Sequence, residues 1–156
     1  MSLPKIGNLA PAFKLKNQNG EEVALKDFRG KNVVIYFYPK AMTPGCTTQA
    51  CSIRDYKKEF NKLKTVVLGI SPDSPERLKK FEARDELNFT LLSDEDHKVA
   101  EKYGAWGRKK FMGKEYDGIL RQTYIVDKNG KLQEILTKFK TKDHHDVVLE
   151  YIKENL

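Results

Sequence analysis

The chain is poor in cysteine, has a single tryptophan and contains no long apolar run. Each shortage closes off a class of protein. The two cysteines are Cys46 and Cys51. A secreted disulfide scaffold uses more of them in a shorter chain. The longest apolar stretch runs from Val33 to Tyr38, whereas a bilayer-spanning helix needs about 20 such residues. The opening residues, Met1 to Asn8, hold no apolar block of the kind a secretory signal carries. The expected compartment is therefore cytoplasmic, with no membrane partner. No repeat, low-complexity tract or Ser/Gly/Pro-rich linker divides the sequence. One domain over residues 1–156 is expected. No Gly-rich phosphate loop follows the first long apolar segment, which argues against a nucleotide-binding doubly wound fold.

What is present is ordinary for a soluble globular chain. Its 156 residues suffice for one core, and 39% are hydrophobic against 33% charged. Lys and Arg number 29 and Asp and Glu 22, a net charge of +7. These charges are interleaved, as in Arg77-Leu78-Lys79-Lys80-Phe81-Glu82. The densest cluster, Arg108-Lys109-Lys110 with Lys114, is short for a nucleic-acid footprint and reads as a solvated basic face. No nucleic-acid partner is expected. Cys46 and Cys51 do not fall at zinc-ligand spacing with His97, His144 and His145. Neither a metal nor another cofactor is expected.

The apolar pattern alternates between strand and helix periods. Residues 12–25 read as a hairpin around Asn17-Gln18-Asn19-Gly20. Val33 to Tyr38 is apolar on both faces, as a central strand is. Cys46 to about Leu63 reads as a helix, with Ile53, Tyr56, Phe60 and Leu63 on one face. Thr65 to Ile70 is a second buried strand. Ser74 caps a helix starting at Pro75. Phe89 to Leu92 is a short strand, and His97 to Tyr103 a short helix ended by Gly104. Asp94 and Asp96, before that helix, read as capping residues rather than an acid pair. Residues 105–118, with three glycines, read as a loop. In it Trp106 lines either a pocket or docking surface, or a small apolar cluster. Gln122 to Val126 and Lys131 to Thr137 form a hairpin, and Val147, Val148, Tyr151 and Ile152 mark a last helix. Such alternation predicts an α/β fold: a central mixed β-sheet flanked by helices, thioredoxin-like, with an N-terminal β-hairpin extension.

Chemistry concentrates where the first long strand gives way to a helix. Thr43 can cap that helix and Pro44 suits its first turn, which places Cys46 just inside. First-turn N–H groups lack intrahelical partners and carry partial positive charge. They favour the thiolate of a cysteine placed there. The alternative is a buried cysteine acting as a small hydrophobe. Cys51 lies five residues on. On one ideal helix the two Cα atoms would stand roughly 8.5 Å apart. A disulfide spans about 7 Å at most. The pair could bond only if the helix unwound locally. Cys51 as a core residue that never bonds is the other reading. Arg54, Arg108 and Arg121 are equal candidates to stabilise a thiolate at Cys46.

The pattern Pro39-x-x-x-Thr43-x-x-Cys46 resembles the peroxiredoxin active-site motif. The run from Tyr36 to Cys51 is similar to the bacterioferritin comigratory protein, or peroxiredoxin Q, subfamily. The similarity extends to Ser52-Ile53-Arg54-Asp55, to residues 88–97 and to Gly118-Ile119-Leu120-Arg121. This resemblance implies a thiol peroxidase on a thioredoxin fold, acting on hydrogen peroxide and organic hydroperoxides. It makes Cys46 the peroxidatic cysteine, Thr43 its hydrogen-bonding partner, and Arg121 the stabiliser of thiolate and transition state. Pro39 would shield the thiolate from solvent. Cys51 would resolve the sulfenic acid as an intramolecular disulfide, reduced in turn by thioredoxin, in a monomer. A general thiol–disulfide oxidoreductase is the rival reading, and a basic binding module with structural cysteines the third. The gap of four residues between the cysteines and the Thr43 and Arg121 matches weigh against the rival.

Overall fold

The computed structural model describes residues 4–156. Its strands are β1 (Lys14–Asn17), β2 (Glu22–Ala24), β3 (Asn32–Phe37), β4 (Thr65–Ser71), β5 (Thr90–Ser93), β6 (Trp106–Phe111), β7 (Lys114–Ile119), β8 (Thr123–Val126) and β9 (Leu132–Leu136). The helices are α1 (Pro44–Asp55), α2 (Lys57–Lys62), α3 (Pro75–Asp85), α4 (Lys98–Tyr103) and α5 (His144–Asn155). Seven strands form one mixed sheet in the order β2-β1-β5-β4-β3-β8-β9. β3, β4 and β5 run parallel, and the outer strands pair antiparallel.

β3 is central because its residues are apolar on both faces. Val34, Tyr36 and Tyr38 enter one core with side chains of α1, α2, α3 and α5. Val33, Ile35 and Phe37 enter the other, beneath α4 and the N-terminal segment. Burying each such side chain contributes about 1.5–3 kcal/mol. Tyr36 lies opposite Gly69 of β4. A Cβ at Gly69 would stand 2.9 Å from the Tyr36 ring, so the position accepts only glycine without a shift. The N-terminal hairpin extends the sheet by pairing Lys16 and Asn17 with Ser93 and Leu92. Among the described residues no helix is long and apolar enough to cross a membrane.

Caps explain several helix ends. The Ser74 hydroxyl accepts the Arg77 N–H at 3.2 Å. The Asp94 carboxylate accepts the N–H groups of Val99 and Ala100 at 3.2 and 2.9 Å. Gly104 ends α4 in the left-handed region, at φ +78°.

Two expected elements come out differently. Residues 105–118 are not a loop but largely the β6–β7 hairpin. Gly107 and Gly118 sit opposite each other within it, and only Met112 and Gly113, both at positive φ, make the turn. Charged residues on both strands hid the alternation. The helix expected from Cys46 to Leu63 breaks at Tyr56. That residue leaves the apolar face and is 39% exposed, while Ile53 and Phe60 remain buried.

Candidate active site

The site forms where the C-terminal end of β3 meets the N-terminus of α1. Pro44 opens the helix, and the first backbone bond runs from the Thr47 N–H to the Thr43 carbonyl at 2.9 Å. Cys46 therefore lies in the first turn, where the helix dipole favours an anion. It is only 2% exposed. Both cysteines are free thiols on one continuous helix, as the spacing argument requires of the reduced form.

Sheet pairing brings the arginine. β8 runs antiparallel to β3, with Tyr36 opposite Thr123. The segment just before β8 must then lie beside the segment just after β3. The Phe37 N–H bonds the Gln122 carbonyl at 3.1 Å. Arg121 precedes it, and its Nη2 donates to the Cys46 sulfur at 3.1 Å. The guanidinium thus hydrogen-bonds the sulfur and sets a positive charge beside it. Gly45 leaves the necessary room, since a Cβ there would stand 3.3 Å from Arg121 Nη2. Arg54 and Arg108 go elsewhere. Arg54 donates to Asp55 Oδ1 at 2.9 Å and to the Asp85 carbonyl at 2.6 Å. Arg108 lies near Glu115 and Asp117 at the protein surface.

Thr43 occupies the N-cap position, but no side chain caps α1. Its hydroxyl donates to the Lys40 carbonyl at 2.8 Å. The oxygen keeps lone pairs to accept a further hydrogen bond. Pro39 is half-buried in the connection between β3 and α1. Cys51 is half-buried five residues along the same helix. Burial pushes its thiol up, with Arg54 opposing.

Three groups at the site have roles that sequence reasoning did not assign. Gln49, one turn after Cys46, is 1% exposed, and its Oε1 accepts from Arg121 Nη1 at 3.1 Å. Its spacing from Cys46 was the available signal. Asp73 and Arg77 hold the connection leading into α1. Asp73 Oδ2 accepts the Ala41 N–H and the Ser71 hydroxyl, each at 2.7 Å. Arg77 Nε donates to Asp73 Oδ1, and its Nη2 to the Ala41 carbonyl, each at 2.9 Å. An ion pair thus grips both polar groups of Ala41. Nothing in the linear sequence pairs residue 41 with residue 73; the parallel β3–β4 register does. Lys109, assigned to a solvated basic face, is half-buried. Its ammonium is pushed down by burial first and by Arg121 second, with Cys46 acting in the opposite sense.

No group of three or more His, Cys, Asp or Glu side chains able to hold a metal occurs among the described residues. The reactive inventory is a buried thiol, a guanidinium on its sulfur, a hydroxyl at the helix start and a second thiol on the same helix. Such a set can reduce a bond that a thiolate can attack and then form a disulfide.

Comparison with known proteins places this chemistry. Residues 6–135 match the AhpC/TSA family. The chain is 56% identical over 151 residues to peroxiredoxin Bcp of Escherichia coli, covering 97% of both chains. It is 48% identical over 150 residues to peroxiredoxin Bcp of Bacillus subtilis, covering 96% of each. Among solved structures, the bacterioferritin comigratory protein of Xanthomonas campestris superposes with a TM-score of 0.88 at 31% identity, covering 96% of this chain and 98% of that one. The mixed sheet, the flanking helices and these relatives agree: the chain belongs to the AhpC/TSA family, within its Bcp and peroxiredoxin Q members.

Proposed function

We propose that this thiol peroxidase works through Cys46 as the attacking thiolate and Cys51 as the resolving thiol. The observation that carries the reading is the 3.1 Å contact from Arg121 Nη2 to the buried Cys46 sulfur. The thiolate attacks the terminal oxygen of a hydroperoxide, and the O–O bond breaks. One oxygen stays on sulfur as a sulfenic acid, and the other leaves as water or an alcohol after taking a proton. Negative charge moves from sulfur to the leaving oxygen during this step. Arg121, already on the sulfur, stabilises that charge as it moves. The Thr43 oxygen accepts a hydrogen bond from the incoming hydroperoxide, and Pro39 limits water around the sulfur. Gln49 keeps the guanidinium aimed.

Resolution follows on the same chain. The Cys51 sulfur attacks the sulfenic acid, a disulfide forms, and water leaves. Because the two sulfurs cannot meet across an intact helix, α1 unwinds for this step. A dithiol protein of the thioredoxin type then takes the disulfide by thiol–disulfide exchange. No second subunit is needed, so a cytoplasmic single-domain monomer is the simplest working form. The Xanthomonas campestris relative is described for alkyl peroxide reduction. That supports organic hydroperoxides beside hydrogen peroxide as substrates here.

Mass spectrometry after one equivalent of hydrogen peroxide tests the assignment. Cys51→Ser should hold a sulfenic acid on Cys46, and Cys46→Ser should stay unmodified. Equal modification of both variants would remove Cys46 from its role.

A further inference from the structure

We propose that the C-terminal end of α3, through Arg84, is a latch on α1 that sets the rate of Cys46–Cys51 disulfide formation. The inference rests on the peroxidase reading above and concerns its second step. Arg84 Nη2 donates to the Thr47 hydroxyl at 2.8 Å. Thr47 follows Cys46 directly and lies in the stretch that must unwind. The Arg84 guanidinium is held in place by the neighbouring Asp85 carboxylate at 2.9 Å. Farther along α1 the same end of α3 takes hold again. Arg54 Nη1 donates to the Asp85 carbonyl at 2.6 Å. Asn88, three residues past that helix, donates through Nδ2 to the Arg54 carbonyl at 3.2 Å.

These contacts bracket the inter-cysteine segment, the Arg84 bond at its start and the two Arg54 bonds just beyond its end. Each is made only while α1 is helical at that point. Separating Thr47 from its helical position breaks the Arg84 bond before the sulfurs can approach. The latch therefore favours the helical form, in which Cys46 meets Arg121, over the unwound form, in which Cys46 meets Cys51. A slower second step leaves the sulfenic acid exposed to more peroxide. A second hydroperoxide then oxidises it to the sulfinic acid and is itself reduced to water or an alcohol. Latch strength divides the enzyme between resolution and inactivation.

Electrostatics makes the opposite forecast for the same residue, which sharpens the test. Burial pushes the Cys51 thiol up, and the Arg84 charge, after that of Arg54, opposes it. Were that its main effect, removing Arg84 would leave a less reactive Cys51 and slow the disulfide. A latch predicts acceleration.

The test follows full-length reduced protein after one equivalent of hydrogen peroxide, with acid quenching and intact-mass analysis against time. Arg84→Ala should leave peroxide consumption unchanged and raise the rate of disulfide formation about three- to tenfold, the scale of one hydrogen bond weakened by contact with solvent. It should also lower the sulfinic fraction at high peroxide. Thr47→Val keeps the shape and every charge, loses the acceptor, and should accelerate the same step. The double variant should be no faster than either single one. Unchanged or slower disulfide formation in Arg84→Ala, with sulfenic acid still forming at the wild-type rate, overturns the latch alone. So does full additivity in the double variant. Absence of sulfenic acid in Cys51→Ser would instead overturn the peroxidase reading, and the latch with it.

Discussion

At the scale of single residues, the site depends on what reaches one sulfur atom. Cys46 and its helix-start position are visible in the sequence, because Thr43, Pro44 and Gly45 announce where a helix begins. Arg121 is not visible by physics alone. Three arginines compete on paper, and only the β3–β8 pairing decides among them. The family resemblance singles out Arg121, since Gly118-Ile119-Leu120-Arg121 carries part of it. Gln49 carries little signal, because a lone glutamine on a helix is normally solvent-facing, whereas this one is buried against the guanidinium. Arg121→Gln removes the positive charge that faces the Cys46 sulfur. It should lower kcat/KM for hydrogen peroxide about 10²–10³-fold, as loss of a comparable transition-state donor does. Steady-state assays with a saturating dithiol reductant measure this. An effect below fivefold would place the stabilising charge on another group.

At the scale of elements, the question is what keeps the β3–α1 connection in one shape. Pro39 lies just past β3 and Pro44 opens α1, and the sequence shows that much. It does not show the support. The Asp73–Arg77 pair comes from beyond β4, and it reaches Ala41 because parallel β3 and β4 end side by side. Asp73→Ala deprives the Ala41 N–H of its buried acceptor and leaves Arg77 without its carboxylate. The reduced protein should lose about 2–3 kcal/mol of stability, the scale of stranded buried polar groups. The urea midpoint reports this loss, and an unchanged midpoint would mean that the connection holds itself. The β6–β7 hairpin is likewise hidden until its two strands are paired. Gly107, Gly113 and Gly118 look alike in sequence, yet only Gly113 turns the chain, and the pairing of Gly107 with Gly118 exists only across the two strands.

At the scale of the whole molecule, the order of strands and helices outside the β6–β7 hairpin and the break at Tyr56 was legible, because period-2 and period-3.6 apolar patterns alternate over the rest of the chain. The sheet order was not, because β1 pairs with β5 and β3 with β8 across long stretches of chain. One consequence of that assembly is a buried histidine joining α5 to the sheet. His144 opens α5 and shares a 2.8 Å hydrogen bond with the Thr123 hydroxyl of β8. The rings of Tyr36 and Phe139 lie 5.4 and 4.5 Å from its own. Burial first, then the nearby charges of His145 and Arg121, push it down from 6.5 to about 3, with Asp143 opposing. Below pH 6.5 the unfolded chain binds a proton here that the native protein refuses. The unfolded state then gains protons over the native one, so stability falls as the pH drops from about 6.5 towards 3. Above pH 6.5 both states are neutral at this ring, and the effect vanishes. Between pH 7.5 and 5 the cost at this single site is about 2 kcal/mol by proton linkage. His144→Phe abolishes the titration but forfeits the Thr123 hydrogen bond, so the variant starts less stable at pH 7.5. Its deficit against the wild type should shrink by about that linkage amount on acidification to pH 5. Urea unfolding of both proteins at the two pH values measures the difference, in which the contributions of all other titrating groups cancel. A deficit that stays constant with pH would show that native His144 takes up its proton as readily as the unfolded chain does, and that α5 docks on β8 without excluding charge.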